Sequence, residues 1–332
     1  MQGWRRAIIL EIRKRIRLHE LRVGMFVEEL ENLSQRTDDR FSPFLISTPA
    51  EIARLMRSKV MSVVINVHKG LDIHHRTPQA ASFDRQAAEA SLLSNFSRQD
   101  VETARYSIDE AKSDIRNVLA EARISGGFAA KAASAAAERI MASAMHNAGA
   151  LIGVAKLKAS DEVTYLHSLA VSALMITFGR NLGFDEDKVR LLGIGGLVHD
   201  LGKMTLPRSI LMKPGKLTAE ETGIMQTHPQ RGYQLVSKIE DTPQEVLDIC
   251  LFHHEKFDGT GYPRRLVGAQ IPHVARIAAI CDVYDALTTI RPYKRALSQG
   301  EAIDIMMTSE GHFDHDLLSA FLSKMIINGT IH

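Results

Sequence analysis

The sequence predicts a mainly α protein: a C-terminal helical bundle preceded by a small α+β domain. Apolar residues recur at spacings of three and four from residue 150 to 325, as at Leu166, Leu169, Ala170, Ala173 and Leu174 and again at Val246, Ile249, Cys250 and Phe252. Residues 108–145 are rich in the helix formers Ala, Glu and Arg. The clearest β-branched run, Val60–Val67, lies near the start of the chain. A length of 332 residues suits about two domains at roughly 150 residues each. With 45% hydrophobic and 24% charged residues, the chain can bury a sizeable core, which excludes wholesale disorder.

Three segments follow: residues 1–72, a small α+β domain; 73–149, a linker and an Ala-rich helix; and 150–332, the helical domain. Residues 1–22 carry seven Arg and Lys against Glu11 and Glu20, which reads as a basic surface helix. Leu21–Val27 reads as a short strand entering a turn. Thr48-Pro49-Ala50-Glu51 supplies an N-cap, an N1 proline and a capping-box acid for a helix that faces inward through Ile52, Leu55 and Met56. Residues 73–106 are polar and suggest a linker with one helix. Gly126-Gly127 is expected to kink or divide the helical stretch that follows. The alanines of 129–144 read as a close-packing face, internal or in a homodimer interface.

Lys+Arg 41 against Asp+Glu 39 gives no support to a dedicated DNA or RNA binder. Cys250 and Cys281 cannot form a disulfide framework, so a reducing, cytoplasmic setting is expected. No stretch approaches 18 apolar residues, so no transmembrane segment is expected. The apolar run 7–10 meets Glu11 at once, too soon for a signal peptide.

The chemistry is concentrated among 14 histidines. His167, His199-Asp200, His228, His253-His254 and Asp282 are each flanked by apolar helical pattern. Buried polar groups are costly unless paired or bound to a cation, and four separate segments offering an imidazole weaken the reading as isolated core histidines. Adjacent residues on a helix point about 100° apart. The pairs therefore suit a helix end, or two ions side by side; Gly202 and Gly259 are consistent with helix ends. The mixed imidazole and carboxylate set suits Fe, Mn, Ni, Co or Zn. Two metals a few ångströms apart would suit phosphate ester hydrolysis through a bridging hydroxide. Asp282 and Asp285 share one side of a helix, and Arg291 and Lys294 beyond its end suit a phosphate clamp.

The segments HDLGK (199–203), HPQRG (228–232), HHEKFDGTGYP (253–263) and DVYDALTTIRPYK (282–294) together resemble the HD-GYP branch of the HD-domain metal-dependent phosphohydrolases. Residues 16–72 resemble the small domain that often precedes it, whose partner is unknown. The resemblance implies an HD-type bundle and hydrolysis of cyclic di-GMP to pGpG, with continuation to GMP left open. It implies two divalent transition-metal ions, iron being the first expectation, on His167, His199, Asp200, His228, His253, His254 and Asp282, with Asp200 bridging. Lys203 would lie near the attacked phosphate; Arg291 and Lys294 would bind phosphate, and Gly261 and Tyr262 would form the substrate-contacting turn. Asp285 would contact or orient the site and Asp161 would face a guanine. Three-metal relatives carry a Glu four residues before the first ligand histidine, where this chain has Val163, with Glu162 one residue away. A weakly catalytic cyclic-di-GMP receptor and an HD phosphohydrolase for another nucleotide are the rival readings.

Overall fold

A four-stranded antiparallel sheet opens the computed structural model, which describes residues 13–32, 42–56, 58, 60–66, 69–70, 85–157, 163–213, 215–289 and 297–327. The chain divides into two units, Met1–Ala81 and Ser82–His332. In the first, β1 (Arg13–Arg17), β2 (Phe26–Asn32), β3 (Phe44–Leu45) and β4 (Val60–Asn66) lie in the order β1-β4-β2-β3. Ile16 stands opposite Val63, and Val27 opposite Ile65. These four bury a small core with Met25, Ile46 and Leu55, the last from α1 (Pro49–Met56). The expected capping acid is in place: Glu51 accepts the backbone N–H groups of Ser47 and Thr48 at 2.7 and 2.9 Å.

The basic helix expected over 1–22 is corrected where it is described. Residues 13–17 form a strand because β4 takes up their backbone hydrogen bonds and their one apolar side chain, Ile16, enters the sheet core. Arg13 is neutralised by Glu28 at 2.8 Å and by Glu29, both on β2 beyond the intervening β4. Residues 1–12 lie outside the described part. The strand expected at 21–27 begins only at Phe26; Leu18–Glu20 is a single 3₁₀ turn leading into it.

The second unit is helical. After α2 (Arg85–Asn95), α3 (Arg98–Ile124) and α4 (Ala130–Lys156) pack against one another, separated by a turn in which Gly126 takes φ +64°. The division expected at Gly126-Gly127 is thus a complete helix break. α3 starts earlier than the polar composition of 73–106 suggests. Val101, Ala104, Ile108, Ala111, Ile115, Val118 and Ala122 form one buried stripe at spacings of three and four. Ala133, Ala136, Ala137 and Ala144 of α4 are buried, so the Ala-rich face is covered within the chain.

The remaining helices are α5 (Val163–Leu182), α6 (Glu186–Val198), α7 (Arg208–Leu211), α8 (Ala219–Met225), α9 (His228–Val236), α10 (Gln244–Phe252), α11 (His273–Thr288), α12 (Gln299–Thr308) and α13 (His315–Phe321). α5 is apolar on nearly every side and sits in the middle, against α4, α6 and α11. A 3₁₀ turn, Leu201–Thr205, follows α6 and packs on α9. No described helix is long and apolar enough to cross a membrane.

Ile140 of α4 is 1% exposed, whereas Tyr106 of α3 is 68% exposed. Ile140→Ala should cost about 2–5 kcal/mol in urea unfolding, and Tyr106→Ala should stay within about 0.5 kcal/mol.

Candidate metal centre

Three helix ends and two helix interiors carry the seven expected ligands to one place. His199 caps the C-terminus of α6 and Asp200 follows it; His228 opens α9; His253 caps α10 and His254 follows. His167 and Asp282 project from the interiors of α5 and α11. Helix ends let neighbouring residues leave the 100° spacing, which is how both members of each adjacent pair reach one centre.

The side chains form two sets. The ligand atoms of Asp200, His228, His253 and His254 all lie within 4.8 Å of one another, and so do those of His167, His199 and Asp282. Asp200 joins them. Its Oδ1 lies 3.2 Å from His228 Nε2 and 3.7 Å from His253 Nε2; its Oδ2 lies 3.6 Å from His167 Nε2 and 3.5 Å from His199 Nε2. His167 Nε2 also lies 3.2 Å from Asp282 Oδ1.

The far side of each ring decides what the near side presents. His199 Nδ1 donates to the Gly196 carbonyl at 2.8 Å, His228 Nδ1 to Met225 at 2.7 Å, and His253 Nδ1 to Ile249 and Cys250 at 3.0 and 3.1 Å. A carbonyl only accepts, so each Nδ1 carries a proton and each ring turns its Nε2 inward. His167 donates through Nδ1 to Asp285 Oδ2 at 2.7 Å, and Thr289 Oγ1 donates to the other Asp285 oxygen at 2.9 Å. A carboxylate behind a histidine in this way fixes the ring and raises its basicity as a ligand.

The inward nitrogens and oxygens are crowded together. His228 Nε2 and His253 Nε2 are 3.2 Å apart, and buried His199 Nε2 and Asp200 Oδ1 have no protein hydrogen-bond partner. Buried nitrogen and oxygen atoms gathered in this way fit divalent metal ions of the borderline kind. Protonation follows the same geometry. Burial pushes the His253 pKa down to about 4 and holds His254 well below the ordinary value, leaving both rings neutral. Burial also works against a charged His167, but Asp200, Asp282 and Asp285 outweigh it and hold its pKa well above the usual value. Burial would raise Asp200, yet Lys203 and the histidines His199 and His167 hold it well below the carboxylate range.

Lys203 reaches Asp200 Oδ2 at 2.5 Å, and its side chain is 28% exposed, so its ammonium stands between the centre and solvent. Tyr262 stacks on His254 with centroids 4.8 Å apart and planes at 29°. Two other expected site residues, Asp285 and Gly261, are buried. Asp285 is fully buried behind His167 and orients that ring. Gly261 packs beneath its turn: a Cβ there would lie 2.2 Å from Lys256 N and 2.5 Å from Glu255 Cα. Gly202 answers a similar demand, since a Cβ would fall 2.0 Å from the His228 carbonyl oxygen. Asp161, Arg291 and Lys294 lie outside the described residues. Sequence reasoning passed over Glu255, whose buried carboxylate gathers backbone N–H groups; the only signal was an acid directly after the histidine pair.

Residues 134–317 match the HD domain family, and residues 13–133 match a domain of unknown function, DUF3391. The chain belongs to the HD-domain family of metal-dependent phosphohydrolases, and its motifs are those of the HD-GYP branch. It is 39% identical over 322 residues to the cyclic di-GMP phosphodiesterase PA4108 of Pseudomonas aeruginosa, covering 94% of this chain and 76% of that protein. It is 43% identical over 143 residues to the cyclic di-GMP phosphodiesterase response regulator RpfG of Xanthomonas campestris, covering 42% of this chain and 38% of that protein. Among solved structures it resembles Bd1817, an HDG"Y"P protein from Bdellovibrio bacteriovorus, in fold, with a TM-score of 0.56 at 21% identity over 94% of this chain and 98% of that one.

Asp285→Asn keeps the shape behind His167 and removes the charge. It should weaken Mn²⁺ binding about 10–100-fold in calorimetric titration while leaving the circular dichroism spectrum unchanged.

Proposed function

We propose that the chain is a metal-dependent phosphodiesterase that hydrolyses cyclic di-GMP to pGpG. The observation that carries this reading is the pair of ligand sets sharing one carboxylate, Asp200, with a lysine at their edge. The names of PA4108 and RpfG support the substrate.

Two divalent ions, one in each set, would supply Lewis acidity there, lowering the pKa of a water and neutralising charge on the phosphoryl oxygens. Iron is the first candidate among Fe, Mn, Ni, Co and Zn for this mixed nitrogen and oxygen donor set. His167, His199 and Asp282 would hold one ion, His228, His253 and His254 the other, and Asp200 would bridge. Asp285 keeps His167 aimed inward. The Lys203 ammonium, partly exposed beside Asp200, contacts the attacked phosphate and delivers a proton to the departing 3′-oxygen. Arg291 and Lys294 would clamp the phosphate oxygens, Asp161 would face a guanine, and Tyr262 would contact the substrate above His254. Val163 stands where a third-metal Glu would be, which favours two metals and pGpG as the end product. We assign the reaction to the cytoplasm, in keeping with two free, buried cysteines.

Anaerobic purification with elemental analysis, followed by chromatography of cyclic-di-GMP digests, tests the reading. Asp200→Ala should lose both metal and turnover; unimpaired hydrolysis by that variant would overturn the mechanism. Lys203→Ala should keep its metal and lose about 10²–10⁴ in kcat if the lysine is the proton donor. A panel of other cyclic and linear nucleotides should be turned over far more slowly, and a better substrate among them would replace cyclic di-GMP.

A further inference from the structure

Glu255 directly follows the His253-His254 pair and is 2% exposed. A buried carboxylate is costly unless its lone pairs are filled. Here they are filled by three consecutive backbone amides. Arg264 N and Arg265 N donate to Oε1 at 2.6 and 3.1 Å, and Leu266 N donates to Oε2 at 3.0 Å. Arg265 has φ +57°, the left-handed region that a non-glycine residue seldom adopts. Such a residue turns successive N–H groups to one side, making a small concavity that binds an anion. The anion in this concavity is the protein's own carboxylate.

The consequence is spatial. The bonds close residues 255–266 into a ring whose two ends are the metal-ligand pair and the segment just after Tyr262-Pro263. Inside it, Tyr262 N donates to the His254 carbonyl at 3.2 Å, and the tyrosine ring stacks on the His254 imidazole. The chain crosses Glu255 so closely that only glycine fits at 261. The outer flank is held separately: Phe257 N donates to the His312 carbonyl at 3.0 Å and Asp258 N to the Gly311 carbonyl at 2.8 Å. That strap is tied to α11 by Arg276 and Asp314 at 2.5 Å. The inner flank depends on Glu255.

We propose that Glu255 is a positioning residue: its carboxylate, seated in the backbone amides of residues 264–266, sets the placement of Tyr262 over His254 and so the geometry of the second ligand set and of substrate approach. Only the turnover arm of the test rests on the phosphodiesterase reading. Glutamine has the same shape, but its amide group turns an N–H toward a backbone N–H, donor against donor. A role in filling space would survive that change, whereas a role as an anion would not.

The test uses the full chain as wild type, Glu255→Gln, Tyr262→Ala and the double variant. Three quantities are measured: hydrogen exchange at the amides of 264–266, Mn²⁺ affinity by calorimetry, and KM and kcat for cyclic di-GMP. Glu255→Gln should unfold cooperatively, exchange these amides at least about tenfold faster, as loss of one charge-assisted bond requires, and bind Mn²⁺ about tenfold more weakly. Its KM should rise more than its kcat falls. The double variant should be no worse in KM than Tyr262→Ala alone, because the two residues act through one placement. Wild-type exchange rates in Glu255→Gln, or strictly additive effects with Tyr262→Ala, would overturn the proposal. If Glu255→Gln does not fold, Glu255→Asp keeps the charge but shortens the reach, and carries the same comparisons. If wild type turns over no cyclic di-GMP, the substrate reading fails alone, and the exchange and Mn²⁺ arms still decide the role of Glu255.

Discussion

The structure is organised around a buried group of metal-ligating side chains gathered on one carboxylate, Asp200. Asp200 faces four imidazole nitrogens within 3.2 to 3.7 Å through its two oxygens, and the Nε2 atoms of His228 and His253 lie 3.2 Å apart. Packed apolar helices hold these groups together. That arrangement is maintained by the scaffold, and its inward nitrogen and oxygen atoms fit divalent cations.

The scaffold meets this demand by placing its ligands on elements of different stiffness. α5 and α11, buried along their length, hold His167 and Asp282 from the centre of the bundle, while Asp285 locks His167 from behind. The other ligands sit where helices stop, with tight backbone crossings beside them. At Gly202 the 3₁₀ turn meets the start of α9 too closely for any side chain, which brings Asp200 to His228. Metal affinity therefore depends on main-chain approach as much as on ligand identity.

Much of this was legible in the sequence. The helical class followed from apolar spacing, and the ligand histidines and acids stood out because they interrupt or end apolar helical pattern. What was hidden depended on partners that residue identity does not specify. Asp285 shares a helix side with Asp282, but spacing alone could not show that it faces His167 and not the substrate. Glu255 finds its partners in backbone amides, which every sequence has and none advertises. The basic run at 13–17 looked helical because its pairing with β4 is made by groups common to all residues. The polar surface of 98–106 masked the first turns of the stripe that begins at Val101.

His199, His228 and His253 are each moored to a carbonyl of the main chain three or four positions earlier. No single side-chain deletion can cast one of these rings loose, because the anchor belongs to the peptide backbone itself. His167 is the exception, held by a mutable carboxylate. Evolution could thus retune the grip of this centre at one corner, through the residue behind His167, while the other three corners stay insensitive to drift unless a helix terminus unravels.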